Sequence, residues 1–438
     1  MDLLKDNVGK LYRKFFIASF GSALIACIYG LVDMAMVGQY HGPDGSAAMA
    51  VIAPIWNIIY SFGLLCGIGG SVIYAVARGE RDDVKAANGY FTSAFILGTL
   101  WALILWVLVW VCEEPLLRLF GANDALMPLC KEYMVAPKLT VPVYVFINLL
   151  SSFLRNDGDP GRATKAVIFG GIFNVFGDYF FVFTLDMGIK GAGIATAMGA
   201  SMSVLVMLTH FIGKKNTLKF VKPLRILNSF KMISVNGFSS FIVDVAMGIA
   251  TMLFNRRVME YLGTDALAVY GVIVVVGTLV QCCSYGIGQA AQPVISRNFG
   301  AGLTDRIKTM LKYNIITAAV FGAIWTVLSM AMPQVFIKLF MTPTPEVLSI
   351  APGIIRIYAI SFILLPFNIY STYYFQAIMR AKISLIASVA RGIVISGALI
   401  LLLPVAFGGN AVWWAMPITE AVVFVYSAVM MKKVKLSR

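Results

Sequence analysis

Asn88-Gly-Tyr-Phe-Thr-Ser-Ala-Phe-Ile-Leu-Gly-Thr-Leu-Trp-Ala-Leu-Ile-Leu-Trp-Val-Leu-Val-Trp-Val-Cys112 contains no charged side chain. It exceeds the roughly 20 apolar residues that a helix needs to cross the hydrocarbon core of a bilayer. Lys85 precedes it and Glu113-Glu114 follow it, so charge returns only where the run ends. Comparable runs recur to the end of the 438-residue chain, without the ten-residue alternation of a membrane β-barrel. Twelve spans are expected, at 11–38, 46–77, 88–112, 124–154, 162–185, 191–212, 232–258, 265–296, 307–331, 346–377, 383–404 and 410–431. The first run is too long for the apolar region of a cleavable signal and lacks a small-residue cleavage site, so it reads as a span.

Composition agrees. Apolar residues make up 59% and charged residues 13%, about half the share of a soluble domain. That balance excludes a soluble globule and a disordered chain. Six cysteines, none in a CxxC pair, exclude a disulfide scaffold.

The net charge of +14 suggests an acidic partner until its placement is examined. With both termini in the cytoplasm, most basic residues fall on the inner side. They include Lys10, Arg13, Lys14, Arg78, Arg81, Arg155, Arg162, Lys214, Lys215, Lys219, Lys222, Arg297, Arg306, Arg380, Lys432, Lys433 and Arg438. The charge therefore describes orientation in a plasma (inner) membrane, and no nucleic-acid partner is expected.

The basic loop falls at mid-chain, and weak echoes flank it. Arg118-Leu-Phe120 returns as Lys338-Leu-Phe340, the end of the second span resembles that of the eighth, and Arg155 is echoed by Arg380. Offsets of about 220 residues imply two parallel six-helix repeats with a cleft between them, an arrangement found in transporters. The expected fold is all-α and integral to the membrane: an N-lobe at 1–213, a basic linker at 214–231 and a C-lobe at 232–438.

Four acids cannot escape to an interface: Asp33, Asp178, Asp244 and Glu420. Such residues are functional candidates, because burying an ionisable group in a membrane is costly. Asn174 and Asp178 share one helix face at i and i+4. Depths counted along the helices bring Asp33, Asn174, Asp178 and Thr196 to one level in the outer half of the N-lobe. Their oxygens suit a small cation; equally, the two carboxylates could share a proton, or the four could form a structural hydrogen-bond network.

Five fragments resemble the multidrug and toxic compound extrusion (MATE) transporters, DinF-like branch. They are Tyr29-Gly-Leu-Val-Asp33, Leu154-Arg-Asn-Asp-Gly-Asp-Pro160 with Asn174 and Asp178, Gly286-Ile-Gly-Gln289-Ala-Ala-Gln292-Pro293, Tyr374-Phe-Gln-Ala377, and Trp413 through Glu420. The resemblance implies a Na⁺ or H⁺ site at Asp33, Asn174, Asp178 and Thr196. It also implies a secondary antiporter exporting amphipathic, cationic compounds by alternating access, with no cofactor. Two positions depart from the pattern: Ala18 and Ser239 stand where relatives usually carry proline. Proline kinks a helix, so a gate resting on a proline bend in the first helix lacks its breaker here.

Asp244, near the midplane of the seventh span, and Gln289 are candidates for substrate or coupling contacts; the plainer reading of Asp244 is a structural partner. Arg391 and Glu420 lie at similar depth on consecutive spans, as a structural ion pair would. Lys138 lies near the carboxylate level, either to neutralise them and meet substrate or, as favoured, as a snorkelling rim lysine. Met36, Tyr144 and Met247 are candidates for bordering the cleft. No GxxxxGK[ST], HExxH or GxSxG motif occurs, so neither an ATPase nor a hydrolase is expected, and no residue is assigned to catalysis. A monomer is expected. The alternatives weighed are a lipid-linked precursor flippase of the same superfamily, disfavoured by twelve spans and acidic membrane residues, and a polytopic receptor.

Overall fold

The computed structural model describes residues 2–81, 83–223, 225–341 and 343–436. Arg438 and the side chain of Arg81, counted above among inner-face cations, lie outside them. Among the described residues, twelve spans cross the molecule. The N-lobe comprises α1 Val8–Gly42, α2 Asp44–Glu80, α3 Val84–Val111, α4 127–156, α5 Pro160–Thr184 and α6 Gly188–Ile212. The C-lobe comprises α7 226–262, α8 264–300, α9 Thr304–Ala331, α10 Pro345–Ala377, α11 Ala381–Phe407 and α12 Gly409–Lys433.

Glycine makes the corners. The chain turns from α1 into α2 at Gly42 (φ 65°) and from α7 into α8 at Gly263 (φ 79°), where a side chain would be strained. These corners are repeat equivalents. Short helices Glu113–Leu119 and Pro333–Phe340 carry the two Arg/Lys-Leu-Phe echoes. Positive φ at Gly158 and at Met379 marks the ends of α4 and α10. That alignment pairs Arg380 with Asp159, and Arg155 with Gln376, which corrects the Arg155–Arg380 echo; side-chain similarity had outweighed backbone register.

α4 is one span bent by 56° between Leu139 and Val141. Pro142 has no N–H for the carbonyl of Lys138, which is satisfied instead by Trp106 Nε1 at 2.9 Å. α1, by contrast, runs unbroken past Ala18. The Ala18 carbonyl accepts from the Ser22 hydroxyl at 2.7 Å and from the Thr164 hydroxyl of α5 at 2.8 Å.

The lobes clasp at the end of the molecule that carries the chain termini. Leu3, Val8, Leu11 and Phe15 are built into the C-lobe core, and Ile233 of α7 into an N-lobe core. A Cβ on Gly286 of α8 would lie 2.7 Å from Phe20 Cα of α1. In lipid there is little hydrophobic gain between helices, so close backbone approach of this kind carries the association. Tyr12 donates to Thr317, and Arg306 of α9 holds the carbonyls of Leu3 and Asp6 at 3.1 and 2.7 Å. Among the described residues, no interlobe hydrogen bond lies farther from this end than Ser61–Asp244 at mid-depth.

The segment after α6 lies as a strap across the N-lobe. Thr217 N–H donates to Asp157 at 2.9 Å, Lys219 N–H to Asn88 at 3.1 Å and Val221 N–H to Thr92 at 3.0 Å. His210, fully buried, faces Asp157 at 2.8 Å and Asp159 at 3.3 Å beneath it.

Candidate functional site

In the N-lobe, α1, α4, α5 and α6 converge around Asp33. The Thr196 hydroxyl donates to Asp33 Oδ2 at 3.3 Å, and Asn174 Nδ2 donates to Thr196 Oγ1 at 3.4 Å. Tyr133 of α4 lies 3.4 Å from Asp33 Oδ2 and 3.2 Å from Thr196 Oγ1. Glycine permits the close α5–α6 pairing: a Cβ on Gly199 would sit 2.7 Å from the Gly170 carbonyl and 2.9 Å from Asn174 Cβ. Directly after Asp178, α5 widens into a π-turn at Tyr179–Thr184, a distortion common at functional sites.

The hydrogen bonds here are long, and four buried oxygens accept none: Asp33 Oδ1, Asn174 Oδ1 and both oxygens of Asp178. Asp178 is fully buried, and Asp33 and Asn174 nearly so. A buried carboxylate without a donor is expensive, and a bound cation or proton removes that cost. Two carboxylates, an amide and hydroxyls form a hard-oxygen set suited to Na⁺ or a proton. Among the described residues, no three His, Cys, Asp or Glu side chains gather as a metal cluster. Tyr133 was not singled out from sequence; a tyrosine in a membrane helix reads as an interfacial anchor until its partners are seen.

The C-lobe candidates group differently. Asp244 accepts from Tyr285 at 2.7 Å and from Ser61 of α2 at 3.4 Å. Arg391 Nε meets Glu420 Oε1 at 2.8 Å, and Asn368 caps Glu420 Oε2 at 2.7 Å. Arg391 lies on a second π-turn, Ala390–Val394. Gln289 is occupied: Arg155 Nη1 donates to its Oε1 at 2.6 Å across the lobes. Lys138 joins neither carboxylate. It pairs with Glu113 at 2.8 Å over the Trp110 ring, which is the favoured rim position and not the alternative of a group that neutralises the carboxylates or meets substrate. Tyr144 packs on Trp56 and Tyr60 inside the N-lobe, with its hydroxyl unpartnered. Met36 and Met247 are half-buried on α1 and α7.

The MatE family model matches residues 18–180 and 238–401, one block in each lobe. The chain belongs to the MatE family. This MatE chain is similar to the multidrug export protein MepA of Staphylococcus haemolyticus, at 24% identity over 95% of this chain and 92% of that one. MepA of Staphylococcus aureus strain MSSA476 is 22% identical over the same shares. A solved structure described as the outward-facing conformation of a multidrug resistance MATE family transporter of the MOP superfamily superposes with a TM-score of 0.89. It is 22% identical and covered over 97% of its length, against 98% of this chain. MatE proteins are transporters and need no cofactor, and the two-lobe, twelve-helix architecture is theirs.

Proposed function

We propose that the chain is an antiporter that exports amphipathic cations in exchange for Na⁺ or H⁺ bound at Asp33, Asn174, Asp178, Thr196 and Tyr133. The observation that carries this reading is the set of four unpartnered buried oxygens in the N-lobe. With both termini in the cytoplasm of a plasma (inner) membrane, the clasped end faces inward and the cleft between the lobes faces out. The incoming ion neutralises the carboxylates and weakens the hold on a cationic substrate. Only such a difference in affinity between states can drive alternating access. The N-lobe at 1–213 and the C-lobe at 232–438 move as a monomer about the linker 214–231. The similarity to MepA, a multidrug export protein, supports the substrate class. The test is dye efflux from proteoliposomes under separate Na⁺ and H⁺ gradients. Asp33→Asn and Asp178→Asn each abolish gradient-driven efflux at normal expression; undiminished efflux in either variant overturns the reading.

A further inference from the structure

Cys27 of α1 and Cys282 of α8 meet across the lobes, their thiols close enough to share a hydrogen bond. Helix register gives the same answer. Gly286 of α8 packs on Phe20 of α1; Cys282 precedes that glycine by one turn, and Cys27 follows that phenylalanine by two. Each cysteine therefore lies on the face that its helix turns to the other lobe. Cys282 is as far along α8 from the clasped end as Asp244 is along α7, which places the pair at the mid-depth level of Ser61–Asp244.

The backbones approach closely here. A Cβ on Gly286 would lie 2.7 Å from Phe20 Cα and 3.2 Å from the Ser19 carbonyl. Helices packed through ordinary side chains stand about 8–10 Å apart, whereas a disulfide needs Cα atoms within about 7 Å. The glycine contact one turn away narrows that difference. Both thiols belong to half-buried residues, so a small solute reaches them, whereas Cys66, Cys130 and Cys283 are buried. Neither thiol has a part in the export reading above.

We infer that Cys27 and Cys282 form a redox site, whose disulfide staples α1 to α8 and holds the lobes in the clasped arrangement. The oxidant is a hydroperoxide, hydrogen peroxide being the simplest. One sulfur, as thiolate, attacks a peroxide oxygen; the O–O bond breaks, its electron pair leaves with the second oxygen, and that oxygen takes up the thiol's proton as water. The sulfur is left as a sulfenic acid. The second thiolate attacks it, the S–S bond forms, the S–O bond breaks, and a second water leaves with the second thiol's proton. Two thiols thus lose two electrons and two protons while hydrogen peroxide becomes two waters. The lock rests on the export reading, because joining the lobes arrests only a carrier whose lobes must part.

The test treats purified protein in nanodiscs with hydrogen peroxide, then denatures, alkylates and digests it. Mass spectrometry finds the Cys27 and Cys282 peptides joined, and the alkylatable thiols fall by two. In proteoliposomes the same treatment abolishes gradient-driven dye efflux, and dithiothreitol restores it. Cys27→Ser and Cys282→Ser each export as reduced wild type does and ignore peroxide, while Cys283→Ser stays sensitive. Absence of the joined peptide from oxidised wild type overturns the site, a result that depends on no variant folding. Efflux that persists in fully joined protein, or equal inhibition of Cys27→Ser by peroxide, overturns the lock. Reduced wild type that exports no dye counts against the export reading, and the joined peptide is then judged separately.

Discussion

The Tyr133 hydroxyl lies 3.4 Å from Asp33 Oδ2 and 3.2 Å from Thr196 Oγ1, joining the bent α4 to the carboxylate cluster of α1, α5 and α6. Tyr133→Phe keeps the ring and removes what is, among the described residues, the only α4 hydroxyl that meets the cluster. A hydrogen bond donated to a carboxylate is worth about 1.5–3 kcal/mol and favours its ion-free, charged form, so without it ion activation of efflux shifts to roughly tenfold lower concentration. Initial efflux rates against Na⁺ concentration or pH check this, and an unchanged midpoint contradicts it.

Asp178 is fully buried with neither oxygen bonded. An ion that binds the folded protein there raises its stability by mass action. The melting temperature of purified wild type therefore climbs with the coupling ion, whereas that of Asp178→Asn starts higher in ion-free buffer and responds little. Differential scanning fluorimetry with Na⁺ against choline at fixed pH, and over a pH series, separates the two ions.

Glu420 is fully buried and held by Arg391 and by Asn368. Removing one partner of such a pair strands the other, at a cost of about 3–5 kcal/mol. Arg391→Gln and Glu420→Gln each lower thermal stability steeply, while the double change recovers most of the loss. Additive losses in the double-mutant cycle would show that the pair is not coupled.

Asp159 lies at the clasped end, outside the spans. Burial works to raise its carboxyl, but Lys215, His210 and Arg162 outweigh burial and hold it below the usual carboxylate range. A lowered native pKa means that its stabilising contribution is present above the unfolded value and is lost as pH falls through the lowered one. Amide exchange at Thr217 and Lys219, corrected for intrinsic rate, accelerates as pH drops through that acid window. Asp159→Asn shows the faster exchange already at neutral pH.

The spans and the N-lobe cluster were legible because a membrane imposes simple rules: long uncharged runs, and few acids that cannot leave. Asp33, Asn174, Asp178 and Thr196 stood out by depth counted along straight helices, and the structure brings them together. Depth alone left two readings of Lys138, and the favoured rim position is the one it takes, where the α4 bend brings it to Glu113. Gln289 is a substrate candidate by its resemblance to the family's eighth-helix position; its partner Arg155 sits on the other lobe, where no local pattern announces it. The missing prolines at Ala18 and Ser239 were visible, but their replacements were not. Around Ala18, hydroxyls of Ser22 and Thr164 supply a clamp on one carbonyl. Near Ser239, Gln376 bonds the Asn236 carbonyl at 2.9 Å and the Ser240 hydroxyl at 2.9 Å.

The strap sets a mechanical limit. With the chain fastened to the N-lobe through Val221, only residues 222–225 remain before α7 begins at Ile226. The five residue steps from Val221 to Ile226 reach at most about 18 Å when fully drawn out. Lobe rotation that opens the clasped end thus works on a short leash, with the α6–α7 connection acting as a stop that caps how far the two bundles can part.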